Sequence, residues 1–223
     1  GDAKSQARML NEFGFVYSAL GEKEKALGYY EEALPLFRQV GDRSGEATTL
    51  NNIGGVYGAL GEKEKALGYY AEALPLRRQV GDRSGEATTL TNIGAVYSAL
   101  GEKEKALGYY AEALPLSRQV GDRSGEAATL NNIGLVYDAL GEKEKALGYY
   151  EEALPLSRQV GDRFGESVTR FNIAMVFVDL GRLAEAEEQL EIVVQIDEAV
   201  RHPDLESDRR ELAQVRAMRR SAE

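Results

Sequence analysis

Apolar and small residues recur along this chain at helical spacing, and the pattern resets at fixed intervals. Leu50, Ile53, Gly54 and Tyr57 fall three and four residues apart, Gly61 interrupts, and Ala66, Tyr70, Ala73 and Leu74 resume the same period. This predicts two amphipathic helices joined by a tight turn at Gly61, whose freedom suits a left-handed C-terminal cap. Gly81 followed by Asp82 predicts the stop of one helix and the N-cap of the next, so the second helix of the pair should run from about Lys63 to Val80. Gly54 and Ala66 let the paired helices approach, while Leu50, Ile53, Tyr57, Tyr70 and Leu74 fill the space between them.

The same 40-residue block starts at Gly1, Gly41, Gly81, Gly121 and Gly161, and the three middle copies are nearly identical. The predicted organisation is therefore five units, 1–40, 41–80, 81–120, 121–160 and 161–200, followed by a capping helix and tail over 201–223. Units repeated at fixed spacing bury their core between neighbours, so function is to be sought on a surface. Pro35, Pro75, Pro115 and Pro155 fall inside the second helices, where Pro costs about 3 kcal/mol in an ideal helix. The apolar pattern continues on both sides of them, which predicts bends and not breaks. The fifth copy diverges at Ala174, Phe177, Leu190 and Val193, and has Gln195 at the proline site. Beyond it, Leu205, Leu212, Ala213 and Val215 are expected to pack back on the fifth unit, with Arg209, Arg210 and Arg216 turned to water.

The order Leu50, Ile53, Gly54, Tyr57, Gly61, Ala66, Tyr70, Ala73 resembles the tetratricopeptide repeat, with Leu50 where that family often has Trp. The 40-residue unit with its Gly-Asp-Arg junction is similar to the repeats of LGN/Pins-type adaptors and of bacterial arrays fused to signalling or protease domains. His202-Pro203-Asp204-Leu205 resembles the opening of a further repeat of the kinesin-light-chain type. The resemblance implies an all-α, right-handed superhelical solenoid with a C-terminal capping helix. It also implies a non-catalytic protein-protein interaction scaffold that takes a peptide or partner segment on its concave face, as the sensor or docking arm of a larger signalling protein.

Composition narrows the partners. The formal charge of -10 argues against nucleic acid and anionic membranes, which need clustered Lys and Arg. No apolar run reaches the roughly 20 residues of a membrane span, and the absence of cysteine fits a reducing compartment, so a soluble cytoplasmic protein is expected. The fifth unit carries about -6 of the charge. Its Asp179, Glu185, Glu187, Glu188, Glu191, Asp197 and Glu198 form either a docking surface for a basic partner or a solvated face.

Catalytic chemistry finds no constellation. The single histidine, His202, precedes Pro203 at a helix start and is expected to cap or face solvent. The Glu62-Lys63-Glu64-Lys65 run alternates charge instead of converging it, and Gly81-Asp82-Arg83-Ser84-Gly85 joins helix to helix without the Lys-Ser/Thr ending of a phosphate loop. No cofactor and no metal site are expected, and no enzyme activity. In each Tyr doublet, such as Tyr69-Tyr70, one ring should be core and the other at a seam between units.

The middle copies differ in only six columns, four of which carry Thr48/Thr88/Ala128, Asn51/Thr91/Asn131, Gly55/Ala95/Leu135 and Gly58/Ser98/Asp138. Spaced by three, four and three residues, these project within about 80° of one face of the first helix. In the resembling family that face lines the ligand groove. The expected peptide-binding residues are Asn11, Phe15, Asn51, Asn52, Gly55, Thr91, Asn92, Asn131, Asn132, Leu135, Asp138, Phe171, Asn172 and Met175, with Phe171 and Met175 as anchors whose truncation would weaken binding by about 1 to 2 kcal/mol. The ladder Asn52, Asn92, Asn132, Asn172 either holds a peptide backbone or bridges units. Only Arg8 is basic on this face, so a carboxylate clamp is not expected. The alternative function is head-to-tail self-association of near-identical units.

Overall fold

The structure, a computed structural model, describes residues 2–222, and among these the chain is all-α. Eleven helices follow in order: α1 (Ala3–Ala19), α2 (Lys23–Val40), α3 (Arg43–Ala59), α4 (Lys63–Val80), α5 (Arg83–Ala99), α6 (Lys103–Val120), α7 (Arg123–Ala139), α8 (Lys143–Val160), α9 (Arg163–Asp179), α10 (Leu183–Val200) and α11 (Leu205–Ala222). They fall into two compact units, residues 1–120 with α1 to α6 and residues 121–223 with α7 to α11.

Local chemistry sets the helix ends. Asp42, Asp82, Asp122 and Asp162 each accept a hydrogen bond from the amide three residues on, at Gly45, Gly85, Gly125 and Gly165. The Gly45 amide, with Lys4, holds the Asp42 carboxyl below its usual value. Gly41, Gly81 and Gly161 close α2, α4 and α8 in the left-handed region, and α10 closes the same way on Arg201, the only non-glycine with positive φ among the described residues.

The second helices run unbroken through Pro35, Pro75, Pro115 and Pro155. Pro35 removes the donor to the Glu31 carbonyl, and both residues lie on the exposed face of α2, away from the core.

Packing inside each hairpin rests on a small residue facing a large one. A Cβ built on Gly14, Gly54, Gly94 or Gly134 would stand 2.5 to 2.6 Å from the ring of Tyr30, Tyr70, Tyr110 or Tyr150. In the fifth copy the pair becomes Ala174 and Leu190, both fully buried, which trades ring volume for a methyl group. The other tyrosine of the middle doublets stands at the expected seam, since Tyr69 and Tyr109 each pack on a core cluster that two successive hairpins build. Tyr69 stacks on Tyr57 of its own hairpin with ring centroids 5.4 Å apart, and Lys65 sits over the Tyr57 ring.

Between hairpins of the first unit, Lys23 and Lys63 donate to the carbonyls of Ala59 and Ala99 and so cap the end of the next hairpin's first helix. Glu46 and Glu86 are buried, each held by two arginines, Arg38 with Arg43 and Arg78 with Arg83. In the second unit Leu212 and Val215 of α11 close the core formed by Ala186, Leu190, Ile173 and Ala174. Leu205 is half-buried, but Ala213 is exposed, because it falls on the far side of α11 from that core.

Candidate functional site

In the first unit the face carried by α3 and α5 is open where its small residues stand. A depression of about 330 Å³ is lined by Gly55, Gly58, Asn92 and Ala95, with Tyr70 and Val96 beneath. A Cβ on Gly55 would meet only Tyr70 Oη at 3.7 Å, and one on Gly58 only Ala66 Cβ at 3.9 Å, so the channel there is unfilled space. In the second unit a depression of about 170 Å³ between α7 and α9 gathers Asn131, Asn132, Val168 and Thr169. Leu135 and, on α1, Phe15 are exposed, at 41% and 59%.

Several of the expected ligand groups are engaged within the protein. Asn51 Oδ1 accepts from Thr89 Oγ1 at 3.1 Å and from Asn92 Nδ2 at 3.3 Å. Asn131 Oδ1 accepts in the same way from Thr169 Oγ1 and from Asn172 Nδ2 at 3.1 Å, and Asn11 Oδ1 from Thr49 Oγ1 at 3.0 Å. Asn52 lies close enough to the Tyr30 hydroxyl to hold its pKa down against burial. Thr91 replaces the bridging Asn in its repeat. The column of Asn11, Asn51 and Asn131 therefore stitches one hairpin to the next.

Asp138 pairs with Lys143 Nζ at 2.7 Å, and Lys143 also reaches Asp179, so this groove charge is spent inside the protein. Phe171 and Met175 are half-buried and pack on the core of the second unit; Phe171 lines a different cavity from Asn131 and Asn132.

The acidic surface of the fifth repeat is largely neutralised. Arg216 binds Glu187 and Glu191, Arg219 binds Glu187, and Arg209 binds Glu198. Arg182 pairs with Glu185, and Asp197 is fully buried. Three arginines of α11 supply the charge that sequence reading assigned to water or to a partner.

That second cavity, of about 290 Å³, lies where α9, α10 and α11 meet and is lined by Ser167, Phe171, Val193, His202, Ser207 and Asp208. His202 is buried, its ring 4.5 Å from that of Phe164, and its Nδ1 accepts from the Asp204 amide at 3.1 Å. Asp197 Oδ1 accepts from Ser167 Oγ at 2.5 Å. Burial first, then the hydrogen-bonding contact and charge of Asp197, push Asp208 up to about 7. Sequence reading missed this cluster. The signal was present in the repeat register: Asp197 takes the column of Phe37, Arg77, Ser117 and Ser157, and His202 takes that of the N-cap aspartates.

A family model described as the tetratricopeptide repeat matches residues 5–79, 64–119, 85–159 and 125–199. Among solved structures, BtubC (BKLC) from P. vanneervenii is similar with a TM-score of 0.75 and 22% identity, over 90% of this chain and 83% of that one. A STAND signal-transduction ATPase with a tetratricopeptide repeat sensor, from Pyrococcus horikoshii, is similar with a TM-score of 0.78 and 20% identity, over 98% of this chain and 34% of that one. A Rap protein complexed with competence and sporulation factor has a TM-score of 0.72 and 19% identity, over 97% and 65%. The chain thus spans about a third of the STAND protein and just under two thirds of the Rap protein. These likenesses establish a shared fold. Among curated proteins none matches the sequence.

Proposed function

The chain belongs to the tetratricopeptide-repeat family, and on that premise we propose that it is a non-catalytic interaction module, the sensor or docking arm of a larger signalling protein, that receives a peptide segment of a protein partner on its first-helix face. The observation that carries this reading is the open channel over Gly55 and Gly58, which coincides with columns where otherwise identical repeats differ. Packing tolerates variation there because nothing is packed there. A segment laid in the channel gains apolar contact with Tyr70 and Val96 and polar contact with the part-exposed Asn92 amide. Shape fit and a few anchors suffice for binding, with no bond chemistry. The Rap protein solved with its competence and sporulation factor supplies a precedent on the same fold.

The test is selection of binding peptides from a random phage-displayed library against the whole chain, followed by Gly55→Phe, which fills the channel from a position with room for a side chain. The variant should keep its helical circular dichroism and lose affinity by about tenfold or more, the equivalent of about 1.4 kcal/mol. Failure to recover any binder, or binders indifferent to Gly55→Phe, overturns the reading.

Self-association has one observation in its favour. Met9, Phe13 and Val16 form a stripe on α1 that is 44 to 52% exposed, whereas the α3 residues in register with Phe13 and Val16, Ile53 and Val56, are buried. Sedimentation at rising concentration decides, since a constant monomer mass removes this alternative.

A further inference from the structure

We propose that the junction of α10 and α11 is a binding site for one first-row divalent cation, zinc being the working example, ligated by Asp197, His202 and Asp208. The ligand atoms these residues offer lie within 4.8 Å of one another, and all three residues are buried. Buried carboxylates and imidazole without charge partners are expensive, so each free lone pair there calls for an explanation. Asp197 Oδ2 and His202 Nε2 are both buried without a hydrogen-bond partner, although Asp197 is 0% and His202 8% exposed.

Three features separate this cluster from an ordinary acidic patch. Three arginines of α11 are committed elsewhere: Arg209 to Glu198 and Glu206, Arg216 and Arg219 to Glu187. Asp197 Oδ2 is buried beside Asp208 and His202 with no donor of its own, and a cation between them supplies the missing partner. The third donor is a nitrogen, and one imidazole with two carboxylates suits zinc and its neighbours better than calcium or magnesium, which prefer all-oxygen sets.

The geometry also says what must move. Tetrahedral zinc with ligands at about 2.0 to 2.2 Å sets them about 3.4 Å apart, so donors spread over as much as 4.8 Å draw together on binding. His202 now accepts the Asp204 amide through Nδ1, which leaves the ring proton on Nε2. Ligation through Nε2 requires the other tautomer, and the Asp204 carboxylate, its Oδ2 3.8 Å from Nδ1, is placed to receive the relocated N–H. The cation would tie the end of α10 to the first turn of α11 and lock the C-terminal helix over the core of the second unit.

The experiment is calorimetric titration of the metal-stripped full chain with zinc chloride, with manganese and magnesium chlorides as comparison arms. His202 is the only histidine, so its imidazole resonances report on a single site. Expected are one zinc per chain, a shift of the His202 resonances that saturates at the same ratio, and weak or absent magnesium binding. Asp197→Asn keeps an acceptor for Ser167 and offers Asp208 a donor. Its metal-free melting temperature should therefore not fall, while zinc affinity falls by at least about 100-fold, the upper end of what losing a supporting group alone costs. Asp208→Asn serves the same purpose from α11. Zinc binding that leaves the His202 resonances unmoved, or that survives both substitutions, assigns the ion to surface carboxylates and overturns the proposal, as does failure to bind zinc.

Discussion

The ring of Tyr70 occupies the space that a side chain on Gly54 would need: a Cβ built on Gly54 would stand 2.6 Å from Tyr70 Cε1, whereas one on the adjacent Gly55 has nothing nearer than Tyr70 Oη at 3.7 Å. Two neighbouring glycines in one helix therefore have opposite reasons to be there. Gly54→Ala gains helix propensity but forces Tyr70 to shift, and overpacking costs about 1 to 3 kcal/mol. Gly55→Ala collects the propensity gain of about 0.5 to 1 kcal/mol without that cost. Denaturant midpoints should fall for the first and rise for the second. Equal shifts in one direction would show that the tyrosine contact does not decide the matter.

A second prediction separates support from ligand binding in the Asn column. Asn131→Ala strands Asn172 Nδ2, while Thr169 Oγ1 retains the Gly165 carbonyl at 2.8 Å. The expected cost is about 1 to 2 kcal/mol in urea unfolding, with Asn131→Asp nearly neutral because it keeps the acceptor. Unchanged stability in the Ala variant would return this column to the groove.

How much of this was legible in the sequence depended on the range of the interaction. Gly81 and Asp82 fixed the limits of α4 and α5 because capping is a matter of four residues, and the α4 limits agree with the expected Lys63 to Val80. The Gly54 and Tyr70 pairing was readable as small facing large across one turn. The bond from Asn92 to Asn51 was not, since it spans 41 residues and the same amide could equally hold a ligand. Nor was the cluster of Asp197, His202 and Asp208, whose members belong to different elements and meet only when α11 folds back. Comparing each residue with its own column in the other repeats would have flagged Asp197 at once, as a carboxylate where Ser117 and Ser157 are buried.

Buried tyrosines set the alkaline limit. Burial pushes Tyr70 up to about 12, and burial followed by the charge of Glu12 does the same for Tyr30, from an ordinary value of 10.0; Tyr110 and Tyr150 are raised further. A folded-state value above the unfolded one means these groups contribute stability that is complete below pH 10.0 and is lost as pH climbs through about 12. Tyrosinate absorbance should therefore rise in two stages, the later one together with loss of helical circular dichroism. A single transition near pH 10.0 with the helices intact would contradict the burial argument.

Arg170 tests whether a buried ion is needed where its sister repeats do without one. It stands in the column of Leu50, Leu90 and Leu130, each 1% exposed, and is itself only 3% exposed. Its Nε donates to Glu166 Oε1 at 3.1 Å and its Nη1 to Gln189 Oε1 at 2.6 Å. Glu166 also holds Arg158 at 2.9 Å and Arg163 at 2.7 Å, so it keeps two cations if Arg170 is removed. Arg170→Leu exchanges an expensive buried charge for an apolar side chain that the repeat accommodates elsewhere, and the half-buried Gln189 can turn to water. Stability should stay within about 1 kcal/mol of the parent or rise. Glu166→Gln is the converse case, because it leaves Arg170 buried with no carboxylate and should cost about 3 to 5 kcal/mol. The two variants compared by guanidinium unfolding give a direct answer: if Arg170→Leu loses as much as Glu166→Gln, the fifth repeat depends on the pair itself and not merely on avoiding an unpaired charge.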